Sequence, residues 1–422
     1  MINGTKAIEY IYTATRKNAG RDACIGAAFS SLYEVGGNMK YATFSIPNRI
    51  VHGAGALEFL STLEGKKAVI VTGGSSMKKF GFIDEAKGYL EKAGMQVQVI
   101  DGVEPDPSVK TCKDGGAKMA EFKPDWIIAL GGGSAMDAAK IMWVYYEYPG
   151  YNFDDLVAFK FPKLRTKAKL IGIPSTSGTA SEITAFSVIT DREKNIKYPL
   201  VSPDIIPDIA IVDDRIPAKM PPLVTAQTGM DVMTHAIEAY VSTAHDDYTD
   251  PYALEAIRLV FEYLERAVAN GGDMEARGKM HTASTVAGIA FSNCSLGIVH
   301  SMAHKIGGEF HLTHGEANAI MLPYIIDYNR KETDRYSKLE GALGIDDIAK
   351  AVTALNRKVG ITRTIQEGKN TVIPEDAFLK VLDLMSERAF NDACTLTNPR
   401  KTSPADIKKI YLAAYYGKDI DF

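Results

Sequence analysis

An α/β first half followed by an all-helical second half is the fold class that this sequence predicts, on three observations. Between residues 67 and 144, short unbroken apolar runs alternate with longer amphipathic ones; such strand–helix alternation builds a parallel sheet covered by helices. Beyond the proline-bearing stretch at 217–222 those strand runs stop and apolar residues recur every three or four positions, which is the helical period. Half of the eight histidines crowd into residues 297–318 of that helical part. The chain therefore divides into an extension over 1–38, an α/β domain over 39–218 and an all-helical domain over 219–422. A cleft between the two domains is the expected place for an active site.

Taken in order, the segment from Met39 to Leu60 predicts short strands and then a helix opening after Gly53-Ala54-Gly55, with His52 a loop or packing residue. Residues 67–72 are continuously apolar apart from their ends, as in a strand buried on both faces of a sheet. A helix over 82–93 stops at Gly94, a strand follows at 97–100, and a helix at 109–122. The next strand, 126–130, runs straight into Gly131-Gly132-Gly133-Ser134, and a helix over 135–144 leaves that turn. Further strands are predicted at 169–173, 186–190 and 209–212.

Composition narrows the class of protein. With 422 residues, 46% hydrophobic and 24% charged, the chain is long enough for two buried cores. A net charge of -4 without a long basic run argues against nucleic acid or an anionic membrane as the main partner. Cys24, Cys112, Cys294 and Cys394 are scattered without a C-x-x-C pair, so neither a disulfide frame nor a thiolate zinc site is indicated, and a reducing cytoplasm is the simplest home. No apolar run reaches the length that crosses a bilayer. In the extension, Lys6, Arg16, Lys17 and Arg21 face Glu9, Asp22 and Glu34. Its acids and its lack of a cleavage site fit a transit peptide poorly. Gly36-Gly37-Asn38 can be encoded by a ribosome-binding sequence directly before an ATG for Met39, which makes Met39 a candidate start.

The histidine cluster points to a buried metal. His300 and His304 are four apart and share one face of a helix. Gly307-Gly308 can end or bend that helix, and Thr313-His314-Gly315 can then return a third imidazole. Upstream, Asp231 and His235 have the same spacing within an apolar helical run. One carboxylate and three neutral imidazoles, from Asp231, His235, His300 and His314, suit Fe(II) or Zn(II) and suit neither Mg nor Ca. The plain alternative is a set of satisfied core histidines. His245 and His281 read as helix-surface or packing residues.

The first half offers a phosphate cradle. Glycines at 131–133, after a buried strand and before a helix, let backbone N–H groups approach an anion beside the positive end of the helix dipole. The turn Ser175-Thr176-Ser177-Gly178-Thr179 adds hydroxyls and amides, and two such turns fit a pyrophosphate with its riboses. The turn that selects the dinucleotide follows the first strand. Where an NAD site places an acid for the ribose 2′-OH, residues 73–79 read Gly-Gly-Ser-Ser-Met-Lys-Lys. No carboxylate repels a 2′-phosphate there, so NADP(H) is favoured over NAD(H); an exposed loop with two surface lysines is the other reading.

The motifs GGGSAMDAAK, the Ser-Thr-Ser-Gly-Thr turn, GMDVMTHAIEAYVS, AFSNCSLGIVHSMAHKIGGEFHLTHGEANAI and DACTLTNPR resemble those of the iron-containing (group III) alcohol dehydrogenases, especially the NADPH-dependent butanol dehydrogenases of fermentative bacteria. The resemblance covers residues 40–422 and leaves the extension out. It implies an α/β dinucleotide-binding domain and an all-α metal-binding domain in the dehydroquinate synthase-like architecture. It implies that Asp231, His235, His300 and His314 hold iron, with zinc possible, and that Asp231, His300 and His304 are catalytic, His304 lying beside nicotinamide and alcohol. Gly132, Gly133, Ser134 and Asp137 would bind pyrophosphate and ribose, with Ser175, Thr179 and Lys197 completing the site. Asp106 would line the adenosine pocket, Gly73, Gly74 and Ser76 would accept the 2′-phosphate, and Phe186, Phe291 and Cys394 would line the substrate pocket. Ala135 stands where the family commonly has proline, and His311 is an extra imidazole, either a competing ligand or a pocket wall. The implied enzyme moves a hydride between NADP(H) and a short alcohol or aldehyde, as a homodimer or larger. Two other readings stay open: a zinc- and NAD-dependent relative of glycerol dehydrogenase, and a dinucleotide-binding regulator whose histidines only build its core.

Overall fold

Hydrophobic burial in the first half is carried by strands that need partners on both sides. In the computed structural model, which describes residues 42–422 apart from 195 and 369–371, six of them form one parallel sheet. They are β1 (Arg49–His52), β2 (Lys67–Gly73), β3 (Gln96–Val103), β4 (Trp126–Gly131), β5 (Lys169–Pro174) and β8 (Ile209–Val212), in the order β1-β8-β5-β4-β2-β3. Every residue of β4 is buried, as expected of a central parallel strand. The extension over 1–38 and its proposed start at Met39 lie outside the described residues.

Strand order positions the candidate cofactor turns. From β2 the chain winds one way to β3, and from β4 it winds the other way to β5. The turns after β2 and β4 therefore flank a topological switch point, where open α/β sheets bind their ligands. The helix leaving the β4 turn, α4 (Gly133–Glu147), packs on α3 (Val109–Phe122) at a small-residue contact. A methyl group added at Gly116 would lie 2.5 Å from Tyr145 Cβ and 3.0 Å from the Tyr145 carbonyl carbon. Gly116 thus fixes how closely α3 approaches the helix that carries the glycine turn.

Several elements differ from expectation. The run at 186–190 is not in the main sheet: β6 (Phe186–Asp191) pairs antiparallel with β7 (Ile196–Val201) as a separate ribbon. Its partner contains Pro199, which is tolerated where one strand edge is free. Residues 56–62 form a 3₁₀ helix, and α1 (Ser76–Lys79) replaces part of the expected loop after β2. A short helix, α5 (Phe153–Val157), was not foreseen.

Among the described residues no strand follows Val212. The helical half contains α6 (Pro222–Val241), α7 (Asp250–Ala269), α8 (Met274–Cys294), α9 (Ile298–Phe310), α10 (His314–Asn329) and four more to Tyr416. Compactness divides the chain differently from its order of elements. Residues 45–232 group with 259–292, while 233–258 group with 293–422 and the described residues before 45. The dividing line passes through α6 between Val232 and Met233. Gly307-Gly308 does not end α9, which runs on to Phe310 and closes on His311 in the left-handed conformation, at φ 58°. No single described helix is long and apolar enough to cross a membrane.

Replacing Gly116 by alanine is expected to destabilise the protein by about 1–3 kcal/mol, because backbone-anchored atoms of Tyr145 cannot yield. Gly88 lies in an exposed part of α2 (Phe82–Lys92) with nothing within 4 Å of an added methyl. Gly88→Ala is expected to stabilise by up to about 1 kcal/mol. Thermal unfolding of the two variants beside the wild type checks the contrast.

Candidate metal centre and active site

Helical spacing brings the candidate metal ligands together. Asp231 and His235 sit one turn apart on α6, His300 is in the first turn of α9, and His314 opens α10. Each offers one donor atom, and the four donors lie within 4.8 Å of one another. Asp231, His235 and His300 are buried, and His314 is exposed. The His235 and His300 rings stack with centroids 4.6 Å apart.

Two residues that the sequence reading passed over set the orientation of these rings. Glu238, on α6, accepts the Val299 backbone N–H at 2.7 Å and faces His300 Nδ1 at 2.5 Å. Burial pushes the Glu238 carboxyl up to about 8, against the pull of the Val299 amide and His235. Asn318 places its side-chain nitrogen 3.2 Å from His300 Nε2 and 3.1 Å from His314 Nε2. An amide N–H donated to both marks each Nε2 as the lone-pair bearer, a lone pair that an ion would take over from Asn318, with the His300 Nδ1–H turned to Glu238. Neutral imidazoles with inward lone pairs, beside one carboxylate, are what a borderline divalent ion requires. The residues fit the group. The signals for both were local: Glu238 is one turn beyond His235, and Asn318 one turn beyond His314.

His304 is outside the four-donor set but borders it, its ring stacked on that of His314 with centroids 5.5 Å apart. Its Nδ1 is 3.2 Å from Asp392 Oδ2, which also accepts from Lys305 Nζ at 2.8 Å. Burial raises the Asp392 pKa, but Lys305 and His304 outweigh it and hold the carboxyl far below the usual range. Cys394 is on the same turn, and its backbone N–H donates to Asp392 Oδ1 at 3.0 Å. His311 is exposed and belongs to neither described donor cluster.

In the sheet unit the Gly132-Gly133 turn abuts the 175–179 turn: Ser175 N–H donates to Gly131 C=O at 2.8 Å, and a methyl on Gly133 would come within 3.0 Å of Thr179. Ser134 lies in the first turn of α4. Asp137 is tied inward, accepting from Ser181 Oγ at 2.7 Å and from the Val188 N–H at 3.0 Å. Asp106, at φ 53°, pairs with Lys197 at 2.7 Å. After β2, Gly73 has no room for a side chain, since a methyl would lie 2.7 Å from Val103 O. Gly74 has φ 59°, and Gly74, Ser76, Lys78 and Lys79 are exposed with no acid among residues 73–79. The Phe186 and Phe291 rings lie 6.2 Å apart.

Residues 47–214 match the family described as iron-containing alcohol dehydrogenase, and residues 225–415 match the C-terminal part of the Fe-containing alcohol dehydrogenase family. An NADPH-dependent butanol dehydrogenase from Clostridium saccharobutylicum is 51% identical over 390 residues, covering 90% of this chain and 99% of that protein. The chain belongs to the iron-containing alcohol dehydrogenase family. An alcohol dehydrogenase from Thermococcus barophilus is 38% identical over 88% of this chain and 99% of its own length. The structure of an iron-containing alcohol dehydrogenase from Thermococcus thioreducens matches with a TM-score of 0.83 at 37% identity, over 89% of this chain and 100% of that one. An iron-containing alcohol dehydrogenase is an oxidoreductase, and Asp231, His235, His300 and His314 are a group of donors that could hold a metal ion.

Glu238→Gln is expected to lower metal affinity roughly 10- to 100-fold, the usual cost of losing a carboxylate behind a ligating imidazole; competition with a chelator reads it. His281 supplies a pH dependence. Its Nδ1 meets Ser177 Oγ at 3.0 Å, and burial lowers its pKa to about 4. A folded pKa below the unfolded one favours the neutral ring. The contribution is thus complete above about pH 6.5 and lost as pH falls towards 4, by on the order of 3 kcal/mol. Denaturation across that window should show a shallower decline in His281→Asn.

Proposed function

We propose that this chain reduces short unbranched aldehydes, butanal among them, to primary alcohols and runs the reverse oxidation, with NADPH preferred over NADH. The observation that carries the reading is the set of one carboxylate and three imidazoles, buried except for His314, in a chain 51% identical to an NADPH-dependent butanol dehydrogenase. Asp231, His235, His300 and His314 would hold Fe(II), a site that Zn(II) also suits. When bound, the ion supplies Lewis acidity that polarises the carbonyl oxygen.

The chain's own residues supply the rest. Reduction moves a hydride from nicotinamide C4 to the carbonyl carbon and a proton to the oxygen. We assign the proton to His304, which turns Nδ1 to Asp392 and so leaves Nε2 for exchange. The amides and hydroxyls of Gly132, Gly133, Ser134, Ser175 and Thr179 receive the pyrophosphate, and Asp106, Asp137 and Lys197 frame the adenosine and ribose side. The acid-free turn with Gly73, Gly74 and Ser76 supports NADPH, since no carboxylate there opposes a 2′-phosphate. Phe186 and Phe291, whose rings lie 6.2 Å apart, give an apolar wall that favours a short alkyl chain over a polyol. We place the enzyme in the cytoplasm, where a reducing milieu keeps Cys112, Cys294 and Cys394 as the free thiols they are. Following the resemblance, it acts as a homodimer or larger assembly.

Anaerobic turnover of metal-stripped protein resupplied with Fe(II) or Zn(II), on butanal and butanol beside glycerol, and with NADPH and NADH in parallel, tests the proposal. Metal-dependent reduction of butanal that prefers NADPH is expected. Activity with NADH alone would overturn the cofactor reading, comparable rates on glycerol the apolar pocket, and turnover without metal the role of the four ligands.

A further inference from the structure

We propose that His304, Asp392 and Cys394 form a second divalent-cation site, built for zinc or a similar borderline-soft ion, whose occupation inhibits the enzyme. None of the three is a ligand of the first centre, yet each offers a donor atom, imidazole nitrogen, carboxylate oxygen and thiol sulfur, and the three lie within 4.8 Å of one another. A nitrogen, an oxygen and a sulfur from three side chains leave one position of a tetrahedral ion for water. Thiolate selects zinc or cadmium over magnesium and calcium.

The site is built rather than a chance meeting of exposed groups. Asp392 caps the 3₁₀ turn Ala393–Thr397 by accepting the Cys394 N–H, so carboxylate and thiol are held on one turn. That turn is braced by Thr395, whose hydroxyl lies 2.8 Å from both Ala389 O and Ser301 Oγ. Ser301 is on α9, three residues before His304, which faces Asp392 Oδ2 from the same helix. His304 is 38% exposed, giving an ion a way in, while the Asp392 side chain is 11% exposed. An entering ion must displace Lys305 from Asp392, and the Lys305 ammonium, on a flexible stem and 22% exposed, can turn to water. As the metal–sulfur bond forms, the Cys394 thiol gives its proton to solvent.

Binding would take His304 Nδ1 away from Asp392 and fix the ring on the ion. The inhibitory consequence rests on the proton role given to His304; the binding itself does not. The test uses the Fe(II)-loaded full chain, kept anaerobic and titrated with Cd(II) and with Zn(II). Iron and cadmium per chain are counted by elemental analysis, and the thiolate-to-cadmium charge-transfer band is followed in the ultraviolet. The expected result is one retained iron, one added cadmium, a charge-transfer band, and aldehyde reduction falling in step. Cys394→Ser should lose the band and the added equivalent while keeping its iron. Asp392→Asn, which keeps the shape of the turn cap, should weaken the added equivalent at least tenfold. A band that survives in Cys394→Ser, no second equivalent, or cadmium bound only as iron leaves would overturn the site. A band with undiminished turnover would overturn the inhibitory role and leave the binding site standing.

Discussion

Buried imidazoles can serve one ion only if the protein satisfies one nitrogen of each ring and turns the other inward as a lone pair. Much of the helical half around residues 231–329 follows from that constraint. Glu238 answers His300 Nδ1 and also takes the Val299 N–H, which would otherwise be an orphan donor at the start of α9. The same carboxylate explains Gly297. A methyl group there would lie 2.8 Å from Glu238 Oε1 and 3.1 Å from Asn398 Oδ1. Asn398 in turn exchanges two amide hydrogen bonds of 2.9 Å with Asn329, at the far end of α10 from His314. His300 and its surroundings are thus held by polar contacts whose removal would leave buried groups unpaired, a costly outcome in a low-dielectric interior.

The segment from Asp392 to Arg400 has two jobs. At one end Asp392 fixes His304 and Lys305; at the other Asn398 and Arg400 lock onto α10, where Arg400 donates to Tyr328 O at 2.8 Å. A single short turn therefore couples the orientation of the candidate proton carrier to the helix that ends the ligand set. The carboxyl groups are also ordered: one, Glu238, stands behind His300, and another, Asp392, behind His304.

What the sequence made legible was local. Asp231 with His235 and His300 with His304 are each one helical turn apart, so spacing alone puts each pair on one face, and buried β4 announced itself as an unbroken apolar run. Beyond the joining of Asp231 and His235 to His300 and His314, partners distant in sequence were not legible. Asp392 is 88 residues from His304, and nothing in the four residues of β1 says that they pair in parallel with β8, which follows more than a hundred positions later. The apolar run of β6 was recognisable as a strand but not as half of a separate ribbon, because hydrophobicity reports burial and not the neighbour that provides it. Gly307-Gly308 misled for a related reason. Glycine costs only about 1 kcal/mol inside a helix, and here close passage decides: a methyl on Gly307 would lie 3.1 Å from Leu312 O, where the chain turns back.

X-ray absorption at the iron edge of anaerobically reconstituted protein tests the central claim most directly. The account predicts a first shell of nitrogen and oxygen only, with outer-shell scattering from three imidazole rings, as Asp231, His235, His300 and His314 would give. A sulfur scatterer in the first shell, or a shell of oxygens without imidazole scattering, would contradict it.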